Sequence, residues 1–255
     1  MNTSTLIAML SEFLGVIAVT MLLALSPRLA PLPIAFREPQ KETRRALLLF
    51  AAVFALAVAV QFVPGLNPRL GFSVPAAGAV DQALRQGTLH RLLLSWICLI
   101  PVGFAVLACE RCIPLPSMGW NGRDLKPALQ LGVALGLITL FLSGRIFSLF
   151  DGVALQDVYT LLVWIGIGLV EETIFRGYMQ PRLSSVWGMR AGWLGTAGLY
   201  TLYSVPALVG RADFIAQLAI TVAYGLTLGW IMQKTGHVLA GGLWRGISGW
   251  VRFLL

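Results

Sequence analysis

The segment Glu171-Glu172-Thr173-Ile174-Phe175-Arg176-Gly177-Tyr178-Met179-Gln180-Pro181 is the most concentrated polar stretch at the end of an apolar run in this chain. Ionisable side chains at membrane depth are costly, so by default they mark a site. On a helix Glu172 and Arg176 stand four residues apart with the acid first, the favourable order for a pair. Glu171 is turned about 100° from Glu172. That leaves Glu171 outside the pair and available as a general base. The same spacing fits a second reading, in which both acids sit in the interface beside Arg176 and close the helix into a loop.

EExxFRG followed by an aromatic, a spacer and Pro resembles the first motif of the CPBP family of intramembrane proteases, which includes the CAAX-processing enzymes and the bacterial Abi proteins. Glu171, Glu172, Phe175, Arg176 and Gly177 all fall in place. The resemblance covers roughly 128–255, a CPBP-like core, whereas 1–127 matches only in being hydrophobic. It implies that Glu171 is the general base for water and that two later motifs supply histidines and an Asn. The second motif, an aromatic followed four residues later by His, corresponds to Tyr200-Thr201-Leu202-Tyr203-Ser204, with Ser204 at the histidine position. The third motif, counted from Thr235-Gly236, places Arg245 at the histidine position and Gly249 at the Asn position.

Those departures remove the groups that water activation, oxyanion stabilisation or metal binding would use. Arg245 stays protonated, so it is neither a base nor a useful metal ligand. It can instead pair with a carboxylate. The carried-over geometry predicts Arg245 against Glu171, since Glu172 already has Arg176. Ser204 is expected to bond a carbonyl in its own helix. The chain holds two histidines, His90 in a loop and His237 ahead of the last helix, and neither replaces the motif histidines. No family-type zinc, other metal or cofactor is expected. Glu171 and Glu172 then read as vestigial catalytic residues of a proteolytically inactive homologue, a membrane-embedded binding, assembly or regulatory subunit. The alternative is an active CAAX-type endopeptidase using Glu171.

The elements that must position these residues are helices in lipid. Only 12% of the 255 residues are charged and 57% are hydrophobic, with a mean hydropathy of +0.80. Soluble domains carry about 25% charged residues. Continuous apolar runs of about 20 residues suit helices crossing a hydrocarbon core of about 30 Å, and they lack the alternation of barrel strands. Eight runs are read: 6–25, 46–63, 92–108, 128–147, 153–170, 191–209, 214–232 and 238–255, with the first, second and seventh uninterrupted. The fold class expected is an all-α membrane bundle of about eight transmembrane helices, one polytopic domain over 1–255.

Lys and Arg concentrate in the first, third, fifth and seventh loops, which places those loops in the cytoplasm and both termini on the far side. The net charge of +8 is spread over short loops with no basic stripe, so it points to anionic lipid and not to nucleic acid. Expected partners are membrane lipids and a membrane protein or a prenylated or transmembrane peptide, in a bacterial cytoplasmic (inner) membrane. Cys98, Cys109 and Cys112 support no disulfide framework. No repeat between halves suggests a transporter. Small residues four apart, Gly132 with Gly136, Gly225 with Gly229 and Gly242 with Gly246, predict close helix contacts.

Overall fold

A computed structural model of the chain describes residues 3–24, 36–62, 115–144, 146–147, 152, 155–210 and 212–253. These residues form α1 (Thr3–Ala24), α2 (Pro39–Phe62), α3 (Leu125–Leu142), α4 (Leu155–Glu172), α5 (Gln180–Trp187), α6 (Met189–Leu208), α7 (Phe214–Thr235) and α8 (Val238–Phe253). A π-helical segment, Thr173–Met179, joins α4 to α5 without a break. The described residues are therefore all-helical, arranged as seven rods, with no strand among them.

Three rods are long and apolar enough to cross a membrane: Leu125–Leu142, Asp157–Trp187 and Phe214–Thr235. A shorter apolar helix covers Met9–Leu22. The chain is a membrane protein, but the expected eight spans are not all found. The run at 92–108 lies outside the described residues, as do His90 and the three cysteines. α8 has only 16 residues and carries Arg245 and Arg252 within that length. The first run is not uninterrupted, because it holds a buried carboxylate, Glu12.

The fifth run also differs from expectation. It does not end near Val170 but continues through the motif to Trp187, so the polar segment is the middle of a long rod and not its exit into a loop. The rod stops at Gly188, whose φ of +83° few residues other than glycine adopt. Arg176 and Arg182, which fall between the fifth and sixth runs and so contribute to the fifth-loop charge, are thus buried helix residues, as is Arg245. Setting all three aside leaves the basic excess in the odd-numbered loops.

Glycine sets how closely the rods approach. A Cβ on Gly168 of α4 would lie 2.3 Å from the carbonyl oxygen of Gly242, and one on Gly246 would lie 2.5 Å from Cα of Ile165. α4 and α8 therefore touch backbone to backbone, which only missing side chains permit. Gly132 and Gly136 receive Leu243 and Ile247 of α8, and Gly225 lies against Ala197 of α6. The three expected glycine pairs all sit at helix contacts. At their centre Phe175, Tyr178, Tyr200, Leu228 and Trp244 form the buried core, and the Trp244 indole N–H donates to Thr139 Oγ1 at 3.1 Å.

Candidate functional site

The acidic pair lies on the last turn of α4, directly before the π-helical segment. Both carboxylates are buried, each residue 1% exposed. This excludes the reading in which they sit hydrated at the interface. π-helical turns are rare and often occur at functional sites. A close contact falls within this one: a Cβ on Gly177 would meet the Met118 carbonyl oxygen at 2.2 Å, so the glycine of the FRG triplet is what lets another segment press on the helix.

Glu172 and Arg176 are paired as the spacing predicts, with Oε1 and Nη1 3.4 Å apart. The Arg176 guanidinium donates from Nη2 to the Gly225 carbonyl at 3.1 Å and lies over the Tyr200 ring, 4.4 Å from its centroid. Glu172 fits against α8 because residue 241 is glycine, where a Cβ would stand 2.8 Å from Oε2. Further along the rod the Gln180 amide donates to the Gly229 carbonyl at 2.9 Å, tying it to α7.

Glu171 receives the guanidinium expected at the third motif. Arg245 Nε lies 3.5 Å from Glu171 Oε2. A tyrosine hydroxyl closes the triangle: Tyr200 donates to Glu171 Oε2 at 3.1 Å and accepts from Arg245 Nε at 3.1 Å. Tyr200 thus serves both ion pairs, its ring under Arg176 and its hydroxyl between Glu171 and Arg245. The sequence reading treated Tyr200 only as the aromatic of the second motif and missed this bridge.

The other departures are accounted for differently. Ser204 donates to the Tyr200 carbonyl at 3.1 Å, the bond expected of a serine in a membrane helix. Gly249 faces Trp164, whose ring carbon Cε3 would be 2.5 Å from a Cβ there, so the indole fills the space a motif Asn would need. His237 sits in the turn ahead of α8. Its Nδ1 accepts the Leu239 N–H at 3.0 Å, and its ring is edge-on to Trp120 at 5.8 Å. Burial pushes the His237 imidazole below its ordinary range, against the opposing pull of Asp124 and the Asn121 backbone.

A catalytic zinc needs about three protein ligands and an open position. Among the described residues no three of His, Cys, Asp and Glu gather. Glu171 meets a phenol and a guanidinium, and the guanidinium has donors only. Among the described residues this donor set does not fit a zinc ion.

Four further charged groups, Arg182, Glu42, Glu12 and Arg252, were not identified as site residues from the sequence. Arg182 donates to Glu42 Oε2 at 2.9 Å and to the Tyr178 carbonyl at 3.0 Å, while Thr43 donates to the Arg182 carbonyl at 2.6 Å. This cluster fastens α2 to α5. Glu12 of α1 accepts from Ser248 and from Tyr224, the latter at 3.3 Å, and lies 3.7 Å from Arg252. A lone acid in an apolar run was the signal for Glu12. Arg182 and Arg252 carried no comparable signal, since basic residues near helix ends are common.

Fold and site together define a helical membrane bundle in which a paired-glutamate motif is buried and matched by arginines. Residues 154–250 match the family described as Rce1-like, type II CAAX prenyl endopeptidase Rce1-like. The match spans both glutamates, Tyr200 and Arg245, and is consistent with the CPBP resemblance carried by the first motif; over this segment the chain is similar to CAAX-type endopeptidases. No curated protein and no solved structure matches the chain.

Proposed function

We propose that this chain is a CPBP-type homologue that has lost proteolysis and serves as a membrane-embedded binding, assembly or regulatory subunit. One observation carries the reading: Arg245, at the motif position of a histidine, lies 3.5 Å from the glutamate that would activate water. One oxygen of that carboxylate is already engaged by a guanidinium and a phenol, and no imidazole stands at either motif position to help it activate water. The partner in this reading is a membrane protein or a prenylated or transmembrane peptide, within a bacterial inner membrane whose lipids contact the apolar outer faces. The reading includes no zinc, no other cofactor and no nucleic acid, and it places both chain termini outside the cytoplasm.

The alternative, an endopeptidase using Glu171, draws on the intact first motif. Purified protein offered prenylated and transmembrane peptides separates the two. No cleavage, together with a stoichiometric partner recovered from native membranes, supports the subunit. Cleavage that Glu171→Ala abolishes sinks it.

A further inference from the structure

α1 lies outside the family-matched segment, yet it inserts Glu12 among residues of α7 and α8. Ser248 donates to Glu12 Oε1, and the Tyr224 hydroxyl is hydrogen-bonded to Ser248 and to the same carboxylate oxygen. Arg252 Nη2 faces Glu12 Oε2 at 3.7 Å. The Tyr224 ring carries two guanidiniums, Arg252 at 4.6 Å and Arg245 at 5.3 Å from its centroid. Arg245 and Arg252 are seven residues apart on α8, two turns, so they share one face of that helix. Two like charges against one ring in a core of low dielectric repel unless carboxylates match them.

We infer that Glu12 is the third carboxylate of this buried site and a positioning residue for Arg245. Among the described residues this cluster sets Glu12, Glu171 and Glu172 against Arg176, Arg245 and the partly exposed Arg252, so its formal charges cancel when α1 is counted. Glu12 matches Arg252 on one side of Tyr224 and leaves Arg245 to Glu171 on the other. The N-terminal helix thereby completes a site whose motif residues come from α4, the π-helical segment that follows it, α6 and α8. This inference rests on the charge geometry and not on the loss of proteolysis. Peptide cleavage would overturn the proposed function and leave the test below unaffected.

The test is a double-mutant cycle on the purified full chain in detergent, read by thermal unfolding. Glu12→Gln leaves one excess positive charge, Arg245→Gln one excess negative charge, and the double variant leaves none. Each single variant is expected to lower Tm by several degrees. The double variant is expected to lower it by clearly less than the two losses combined, because an attraction between the two sites would otherwise be counted twice. Adding Arg252→Gln to Glu12→Gln should likewise recover most of the loss. A role as a neutral anchor between helices predicts additive losses and no recovery by Arg252→Gln, and either result overturns the inference. If Glu12→Gln does not fold, Ser248→Ala, which loosens Glu12 without changing charge, replaces it in the cycle with Arg245→Gln. A loss smaller than additive again supports the assignment, and strict additivity overturns it.

Discussion

Replacing Arg245 with methionine keeps an unbranched side chain in the core and removes the charge that faces Glu171, together with the hydrogen bond to the Tyr200 hydroxyl. The stranded carboxylate has a side chain only 1% exposed, so water does not replace the lost partner. Breaking a buried pair from one side costs about 3–5 kcal/mol. Glu171 keeps the Tyr200 hydroxyl, a hydrogen bond to a charged acceptor worth about 1.5–3 kcal/mol, which holds the loss near the low end. At about 2–4 °C per kcal/mol for a chain of this size, a loss of about 3 kcal/mol lowers Tm by roughly 6–12 °C. Thermal unfolding of purified protein in detergent reads this shift. The partner change Glu171→Gln, made in the Arg245→Met background, should restore most of it by removing the unmatched charge. An unchanged Tm for Arg245→Met, or no recovery in the double variant, would refute the pairing as the element that holds this part of the bundle.

Tyr200→Phe leaves the ring under Arg176 and deletes the bridging hydroxyl; a loss of about 1–3 kcal/mol is expected by thermal or denaturant unfolding, smaller than for Arg245→Met. Gly168→Ala drives a methyl into the Gly242 carbonyl and should cost about 1–3 kcal/mol, whereas Gly198→Ala, with nothing within 4 Å of its Cβ, should leave Tm unchanged or slightly raised. The folded-state pKa of His237 is lowered by burial, so the unfolded chain binds a proton that the folded chain refuses. Stability from this residue is fully present above the ordinary histidine value of about 6.5 and is lost as pH falls from there through the depressed folded value. Melting curves from pH 8 down to pH 5 should show that decline, and His237→Gln should flatten it; an unaltered pH dependence would count against the assignment.

The paired glutamates, Arg176 and the Arg245–Glu171 contact were legible because short motifs state which helix positions face one another. Tyr200's hydroxyl was not, since nothing in Tyr200-Thr201-Leu202-Tyr203-Ser204 says how far the ring reaches across α6. The continuation of the helix to Trp187 was hidden by Gly177 and Pro181, residues that more often end helices. Here Gly177 yields space to Met118, and Pro181 falls just past the π-helical segment, where the hydrogen-bond register of the rod changes. The partners of Arg182 are Glu42 and Thr43, about 140 residues earlier, and no local pattern encodes that distance. Glu12 alone was plainly visible and passed over as part of an apolar run.

The unbroken rod from Leu155 to Trp187 has a further consequence for depth in the bilayer. At about 1.5 Å per residue its 33 residues span roughly 50 Å, against a hydrocarbon slab of about 30 Å. Wherever the rod enters the slab, about 20 Å of it must tilt or project into the headgroups. Charges favour the headgroup layer, and Lys41, Arg44 and Arg45 stand on α2 beside the Arg182–Glu42 clasp, so that end of the rod is the one expected to project. The rod would then act as a ruler laid across the membrane, with its charged clasp at one headgroup layer. In bilayers of longer acyl chains the rod can stand more upright, whereas thinner ones must tilt it against α7 and α8, so lipid length becomes a mechanical load on the same turn that carries Glu171 and Glu172.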